Sequence, residues 1–236
     1  MTYLYLDIET IPAQSPDAVA YLAKSAKVDS RLKDPAKIDA ARAEAEQKAI
    51  SNTSFDGWFG QICCIASALD DTDVVAMSDA NHDEVSMISA LFSNFSDYHR
   101  PVIVGHNIGF DMRFITRRAI LLGVELPPSY LWPRDIKPWS DKIHDTSAMT
   151  TDRGEYISLD RLCHAMRIPG KDGFDGSMVA EAWANGEHAK IAEYCADDVR
   201  RVRSVHQRFL AAGWTGSGVV EARRRYDEAR KIMEAM

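Results

Sequence analysis

The first run of the chain, Tyr3-Leu4-Tyr5-Leu6-Asp7-Ile8-Glu9-Thr10, opens with aromatic and aliphatic side chains and is stopped by Ile11-Pro12, which predicts a short β-strand. Strand side chains alternate between two faces, so Leu4, Leu6 and Ile8 share one side and Asp7 and Glu9 the other. Over 13–58 the chain then offers little to a core. Ser15-Pro16 opens a predicted helix to about Lys27, and Asp34-Pro35 opens a second to about Ile50, with Asp as N-cap and Pro at the first helical position. The second helix is rich in Ala, Glu and Lys and has Ile38 and Ile50 as its only large apolar residues, so helix propensity is high and burial potential low. It reads either as a solvated surface excursion or as a cap beside Asp7 and Glu9 whose Lys27, Arg31, Lys33 and Lys37 touch a polyanion.

Apolar patterning resumes at Gly60. Residues 62–69 and 72–77 are two apolar runs separated by Asp70-Asp71, a predicted hairpin that gives three antiparallel strands with the first. Asn81 and Glu84 have capping-box spacing ahead of a helical stripe of Val85, Ile88, Leu91, Phe92 and Phe95. Residues 101–105 form a continuously apolar strand, hence one buried on both faces. Asp111 begins a helix with Phe114, Ile115, Ala119 and Leu122 on its apolar side, ending at Gly123. Four prolines with Trp132 and Trp139 make 124–140 a long irregular loop. Its Tyr130, Trp132 and Trp139 either pin it to the core or stack on bases beside Arg134 and Lys137. Ile143-His144-Asp145 is a short strand, Ser158 caps a helix to Met166, 168–176 is a glycine-rich loop, and Ser177 caps the next helix. The strongest helix of the second half spans about 187–209, with Ile191, Cys195, Val199, Val202 and Phe209 as its buried stripe. Meander strands, a helix and then a buried strand give an α/β plan with a mixed sheet.

Composition narrows the function classes. With 236 residues and 46% hydrophobic content, the chain can form one core, and 1–236 is read as one domain with a helical insertion at about 13–58 and a C-terminal helix at about 217–236. A net charge of −7 excludes coating nucleic acid by bulk charge, so any polyanion must meet a local basic patch. No apolar run is long enough to span a bilayer and the chain opens on strand sequence, which gives no membrane association and a cytoplasmic expectation. Cys63, Cys64, Cys163 and Cys195 have no CxxC spacing and sit in apolar contexts, as reduced core thiols do.

Three constellations carry candidate chemistry. Asp7 and Glu9 at i and i+2 are like charges on one face that a hard divalent cation would hold ionised. Asp111 stands in the first turn of a helix that leaves the C-terminal end of a buried strand, pointing into the crevice where α/β sheets bind ligands. That helix also carries Arg113, Arg117 and Arg118. Tyr194 and Asp198, four apart on a helix, stack on one face roughly 6 Å apart. Taken singly, each fits a plainer role: solvated acids at a strand end, an acid offsetting a helix dipole, a core tyrosine with a wet tip. Together, Asp7-x-Glu9, Asn107-x-x-Phe110-Asp111 and Tyr194-x-x-x-Asp198 resemble, in order and context, the three motifs of the DEDD 3′–5′ exonucleases over nearly the whole chain. The tyrosine four before the last aspartate is similar to the tyrosine branch; His188 is too far from Asp198 for the histidine branch. The loop from Lys171 to Gly176, Tyr194-Cys195 and Asp198-Val199 look closest to bacterial and phage proteins related to the exonuclease domain of family B DNA polymerases. The departure from the pattern is the insertion after the first strand.

The resemblance implies a ribonuclease H-like mixed sheet flanked by helices and a freestanding nuclease releasing nucleotides from 3′ ends. It implies two divalent ions, Mg²⁺ or Mn²⁺, which suits ligands rich in carboxylate and poor in histidine. On the family pattern Asp7 bridges both ions, Glu9 and Asp198 complete the site that activates water, Asp111 holds the second ion through water, and Tyr194 orients the attacking water. Substrate contacts are expected from Thr10, Ile11, His106, Asn107, Phe110, Arg113 and Lys171. The partner is nucleic acid with a free 3′ end, DNA favoured over RNA, with a polymerase or repair partner not identified. Two alternatives stay open: an exoribonuclease of the RNase D type, and a nucleic-acid-binding module that keeps the fold without the reaction.

Overall fold

The computed structural model describes residues 1–95, 100–127, 130, 141–151, 155–170 and 173–214. Five strands form one mixed sheet in the order β3-β2-β1-β4-β5: β1 (Tyr3–Ile11), β2 (Gln61–Leu69), β3 (Val75–Ser78), β4 (Val102–Gly105) and β5 (Ile143–Asp145). β1, β2 and β3 are antiparallel neighbours, as the hairpin pattern predicts, whereas β4 and β5 join β1 in parallel. Parallel pairing requires a crossover, supplied between β2–β3 and β4 by α3 (Glu84–Phe92) and after β4 by α4 (Gly109–Leu122). All four residues of β4 are buried, in keeping with its unbroken apolar run.

The alternation of β1 divides the core in two. Leu4, Leu6 and Ile8 pack with Met87, Ile88 and Leu91 of α3 and with Met112, Phe114 and Ile115 of α4. Tyr5 and Ile11 pack on the opposite face with Ile191, Cys195, Val199 and Val202 of the long helix α7 (His188–Ala211). Asp7 and Glu9 therefore lie on the sheet face that α7 covers. A register shift at Glu9/Thr10 pairs Glu9 with Cys64 and Thr10 with Ile62, leaving Cys63 as an extra residue. That bulge puts Ile62 and Ile65 on one face and both Cys63 and Cys64 on the other.

Several local expectations are revised. α3 is capped by Asp83, whose side chain accepts the Ser86 N–H at 2.7 Å, and not by an Asn81/Glu84 box. Glu84 instead turns inward: Oε1 accepts the Ile62 N–H at 2.8 Å and both oxygens accept from the Arg118 guanidinium at 2.8 and 2.6 Å. α4 starts two residues before Asp111, at Gly109, which places Asp111 within its first turn, and Gly123 ends it in the left-handed conformation (φ 69°). Ser158 does cap α5 (Leu159–Ala165). Ser177 does not cap α6 (Val179–Ala184); a 3₁₀ turn intervenes, capped by Asp175, which takes the Ser177 N–H and hydroxyl.

Between β1 and β2 lie α1 (Pro16–Ser25) and α2 (Pro35–Ser51), neither with a buried residue, followed by a 3₁₀ turn, Asn52–Phe55. Tyr130 is buried against Phe92 and Phe95, as a core contact. Trp132, Arg134, Lys137, Trp139, Lys171 and the expected helix at 217–236 lie outside the described residues. All four cysteines are buried thiols outside any disulfide. Among the described residues no helix is long and apolar enough to cross a membrane.

Candidate active site

β1 runs beyond the end of β4, because the two pair only from Tyr3–Val102 to Tyr5–Val104. The notch this leaves is filled by α4, and Asp111 Oδ1 accepts the N–H of Ile8 at 3.1 Å. Asp111, 5% exposed, is thereby fixed beside the strand that carries Asp7 and Glu9. From the other side α7 lays Cys195 onto the strand, its Sγ donating to Asp7 O and Oδ2, each at 3.4 Å. One turn on, Asp198 is buried and accepts from Arg201 Nη1 at 3.1 Å. The spacing of Tyr194 and Asp198 sets the phenol beside the carboxylate, which acts on it electrostatically. Carboxylate oxygens of Asp7 and Glu9 and the Cys195 sulfur lie within 4.8 Å of one another.

The electrostatics follow from this crowding. Burial pushes the Asp7 carboxyl well above its usual range, and Glu9, Asp111 and Asp198 each push it further. Burial also raises Asp111 to about 8, against the hydrogen bonds to its carboxylate that lower it. The Cys195 thiol is raised by burial, by Cys64 and by Asp7 and Glu9, so without a bound cation it is a proton donor to Asp7. Tyr194 is raised by desolvation first and then by Asp198, Glu9 and Asp7, so its hydroxyl keeps its proton at neutral pH. A donor set rich in carboxylate oxygens, with no imidazole beside Asp7 and Glu9, fits hard divalent cations of the Mg²⁺ or Mn²⁺ kind.

The residues expected to touch substrate fall into different places. Ile11 is fully buried in the core beneath α7, so it is not a substrate contact: it follows Asp7 and Glu9 on the covered face of β1. Thr10 donates its hydroxyl to Ser54 O at 2.7 Å, tying β1 to the 3₁₀ turn. The ring nitrogens of His106 engage Thr146 Oγ1 at 2.9 Å and Ile157 O at 2.7 Å, so the ring braces a turn. Asn107 is exposed at φ 56°, with its N–H donated to Asp145 Oδ1 at 2.9 Å. Phe110 is half-buried between Phe114 and Phe55. Of the three arginines on α4, Arg117 pairs with Asp56 and Arg118 with Glu84, which leaves Arg113 as the exposed one.

Other residues of this region are not among the expected site residues. Arg201 is buried, and besides Asp198 it reaches Gly170 O at 3.0 Å, anchoring the glycine-rich loop. Phe174 of that loop meets Tyr194 edge-on at 4.9 Å. Asp145, buried at the end of β5, also accepts the Ser147 N–H at 3.0 Å. Arg201 stands three residues after Asp198, a helical spacing that signals an ion pair. Cys195 and Phe174 lie in stretches that carry the resemblance, but their contacts with Asp7 and Tyr194, like those of Asp145, have no local signal, because the partners are distant in sequence.

Comparison with known proteins agrees with this architecture. A family model described as a predicted 3′–5′ exonuclease related to the exonuclease domain of PolB matches residues 59–235, a stretch that includes Asp111, Tyr194 and Asp198 and begins after Asp7 and Glu9. No protein of curated function matches. Among solved structures, a family B DNA polymerase from the hyperthermophilic archaeon Pyrobaculum calidifontis is similar with a TM-score of 0.57 and 17% identity, over 89% of this chain and 24% of the polymerase. The chain thus spans about a quarter of the polymerase's length. The Saccharomyces cerevisiae Pan2 pseudoubiquitin hydrolase-RNA exonuclease module, solved in complex with AAGGAA RNA, is a more remote likeness with a TM-score of 0.40 and 11% identity, over 98% of this chain and 32% of that one. Since the family model spans most of the sequence and the sheet is the mixed five-stranded one of ribonuclease H-like exonucleases, the chain belongs to the predicted 3′–5′ exonucleases related to the exonuclease domain of PolB, within the DEDD superfamily.

Proposed function

We propose that this protein is a metal-dependent exonuclease of the tyrosine branch that hydrolyses the 3′-terminal phosphodiester of single-stranded DNA. One observation carries the reading: four carboxylates from three separate elements converge, with Asp111 fixed on the β1 backbone at Ile8 and Glu9, Asp111 and Asp198 all acting on half-buried Asp7. Such a cluster is unfavourable by itself and is relieved by divalent charge. Asp7, central to the other three, would be shared by two ions; Glu9 and Asp198 would complete one site and Asp111 the other. The ions, when bound, supply an acidified water and neutralise charge that builds on the leaving 3′ oxygen. The chain's own work is placement. Arg201 holds Asp198, Cys195 orients Asp7, and the Ile8 N–H orients Asp111. Tyr194, protonated at neutral pH, orients the incoming water as a hydrogen-bonding hydroxyl and does not serve as the base.

The test is polarity and substrate class. Labelled single-stranded DNA, duplex DNA and RNA are incubated with Mg²⁺ or Mn²⁺, with either terminus blocked. Stepwise release from free 3′ ends of single-stranded DNA, stopped by a 3′ block and by chelation but not by a 5′ block, is the expected result. Cleavage of a closed circular strand at a similar rate would mean an endonuclease. Faster release from RNA would move the substrate class to ribonucleic acid, and binding without release would leave a non-catalytic module.

Tyr194→Phe separates water orientation from ion binding. Removing one hydroxyl leaves the ring against Phe174 and the carboxylates in place, so single-turnover hydrolysis should slow by up to ~10²-fold while oligonucleotide affinity stays close to wild type. A wild-type rate would make Tyr194 a structural residue.

A further inference from the structure

Resting on the exonuclease reading above, we propose that Phe55, delivered by the segment between β1 and β2, is a nucleobase-stacking residue for the 3′-terminal nucleotide and favours unpaired ends. Phe55 ends the 3₁₀ turn that follows α2 and is 74% exposed. Its neighbours adjoin the residues that carry two of the candidate ligands. The preceding residue, Ser54, receives the Thr10 hydroxyl at 2.7 Å, and Thr10 follows Glu9. The Phe55 ring lies 6.5 Å from that of Phe110, inclined at 62°, and Phe110 precedes Asp111. The turn thus bridges the two strand and helix ends that carry candidate metal ligands.

The exposure is not that of a frayed loop. Thr53 is buried, its Oγ1 accepts the Ala13 N–H at 2.8 Å, and its carbonyl accepts the Asp56 N–H at 2.9 Å. Asp56 in turn pairs with Arg117 on α4 at 3.2 Å and accepts the Trp58 N–H at 3.1 Å. Gly57 sits so close to α4 that a Cβ there would come within 3.0 Å of the Phe114 backbone. A pinned backbone therefore holds a large aromatic ring out in water, where a fold-stabilising role is small. The nearby aromatics are engaged elsewhere: Arg117 covers Trp58 at 5.6 Å, and Tyr21 stacks on Phe59 at 5.9 Å.

Chemistry selects the occupant. An aromatic pair adjoining two candidate ligands, with exposed Arg113 on the same helix as Phe110, offers a π-face for a base and a cation for a phosphate. Every base has such a face, so stacking holds any unpaired terminal nucleotide and does not discriminate among bases. A paired terminus is already stacked and gains less.

The experiment uses a single-stranded oligonucleotide with 2-aminopurine at its 3′ end, held uncut with Ca²⁺, and the full chain. Wild type should quench the probe on binding. Phe55→Ala should lose most of the quench and bind about 5- to 150-fold more weakly, the worth of one base–aromatic stack. Phe55→Trp should restore both, and the Tm of Phe55→Ala should match wild type because the ring is exposed. With Mg²⁺, the Ala variant should lose on KM more than on kcat, and a 3′-terminal abasic nucleotide should cost wild type the same factor while costing Phe55→Ala nothing further. Equal quench and affinity in wild type and Phe55→Ala, or additive penalties from the variant and the abasic end, would overturn the assignment. A Phe55-dependent quench in a protein that releases no nucleotide would uphold the stacking site and refute the exonuclease reading.

Discussion

Asp7→Asn should reduce nucleotide release to background and, at neutral pH, make the metal-free protein more stable than wild type. Asparagine keeps the volume and one oxygen to accept from the Cys195 thiol, while removing the charge that Glu9, Asp111 and Asp198 oppose. The direction with pH follows from the raised pKa. The carboxyl favours the fold while protonated, so its contribution is complete below the ordinary carboxylate range and is lost as pH rises toward the elevated folded value. The gain from Asp7→Asn should therefore vanish below about pH 4 and grow toward neutrality. Added Mn²⁺ should raise the Tm of wild type by mass action and leave the variant nearly unchanged. Thermal melts from pH 4 to 8, with and without metal, read all of this. A variant that destabilises the metal-free protein at neutral pH, or that retains wild-type turnover, would remove Asp7 from the centre of the site.

Arg118→Met should cost about 3–5 kcal/mol, because it strands Glu84 as a buried carboxylate with the Ile62 N–H as its remaining observed donor. In a chain of this size that corresponds to a fall of ~6–20 °C in Tm. The pair joins α3 to α4, and α4 carries Asp111, so the variant should also weaken metal-induced stabilisation. Combining it with Glu84→Met should recover part of the loss, since breaking a buried pair is worse than replacing it. A melt within a degree or two of wild type would show that water reaches Glu84 and screens it.

These residues also show what local pattern can convey. Arg113, Arg117 and Arg118 form one basic cluster in the sequence, of which Arg113 is the expected substrate contact. Two of the three are neutralised by Asp56 and Glu84, acids far away along the chain, and pattern within one helix contains nothing about them. Glu84 itself has capping-box spacing, but a buried guanidinium is a stronger partner than a local N–H, and the cap passes to Asp83. Ile11 fails as a substrate contact for a related reason: strand alternation shows which face a residue shares but not whether a helix covers that face.

What the amino-acid order determines by itself is whatever depends on short-range geometry. Period-two alternation pairs Asp7 with Glu9, helical spacing joins Tyr194 to Asp198, Pro35 after Asp34 starts α2, Gly123 ends α4, and unbroken apolar residues make β4 a buried strand. Tertiary structure alone decided the rest. It ended β4 short of β1 so that Asp111 could take the Ile8 N–H, laid Cys195 on Asp7, buried Arg201 against Asp198, and set Phe55 beside Phe110. The physical reason is common to all four. Each depends on how far one element extends past another once the two cores are packed, and that offset arises from the summed fit of many side chains, with no residue type or spacing to announce it.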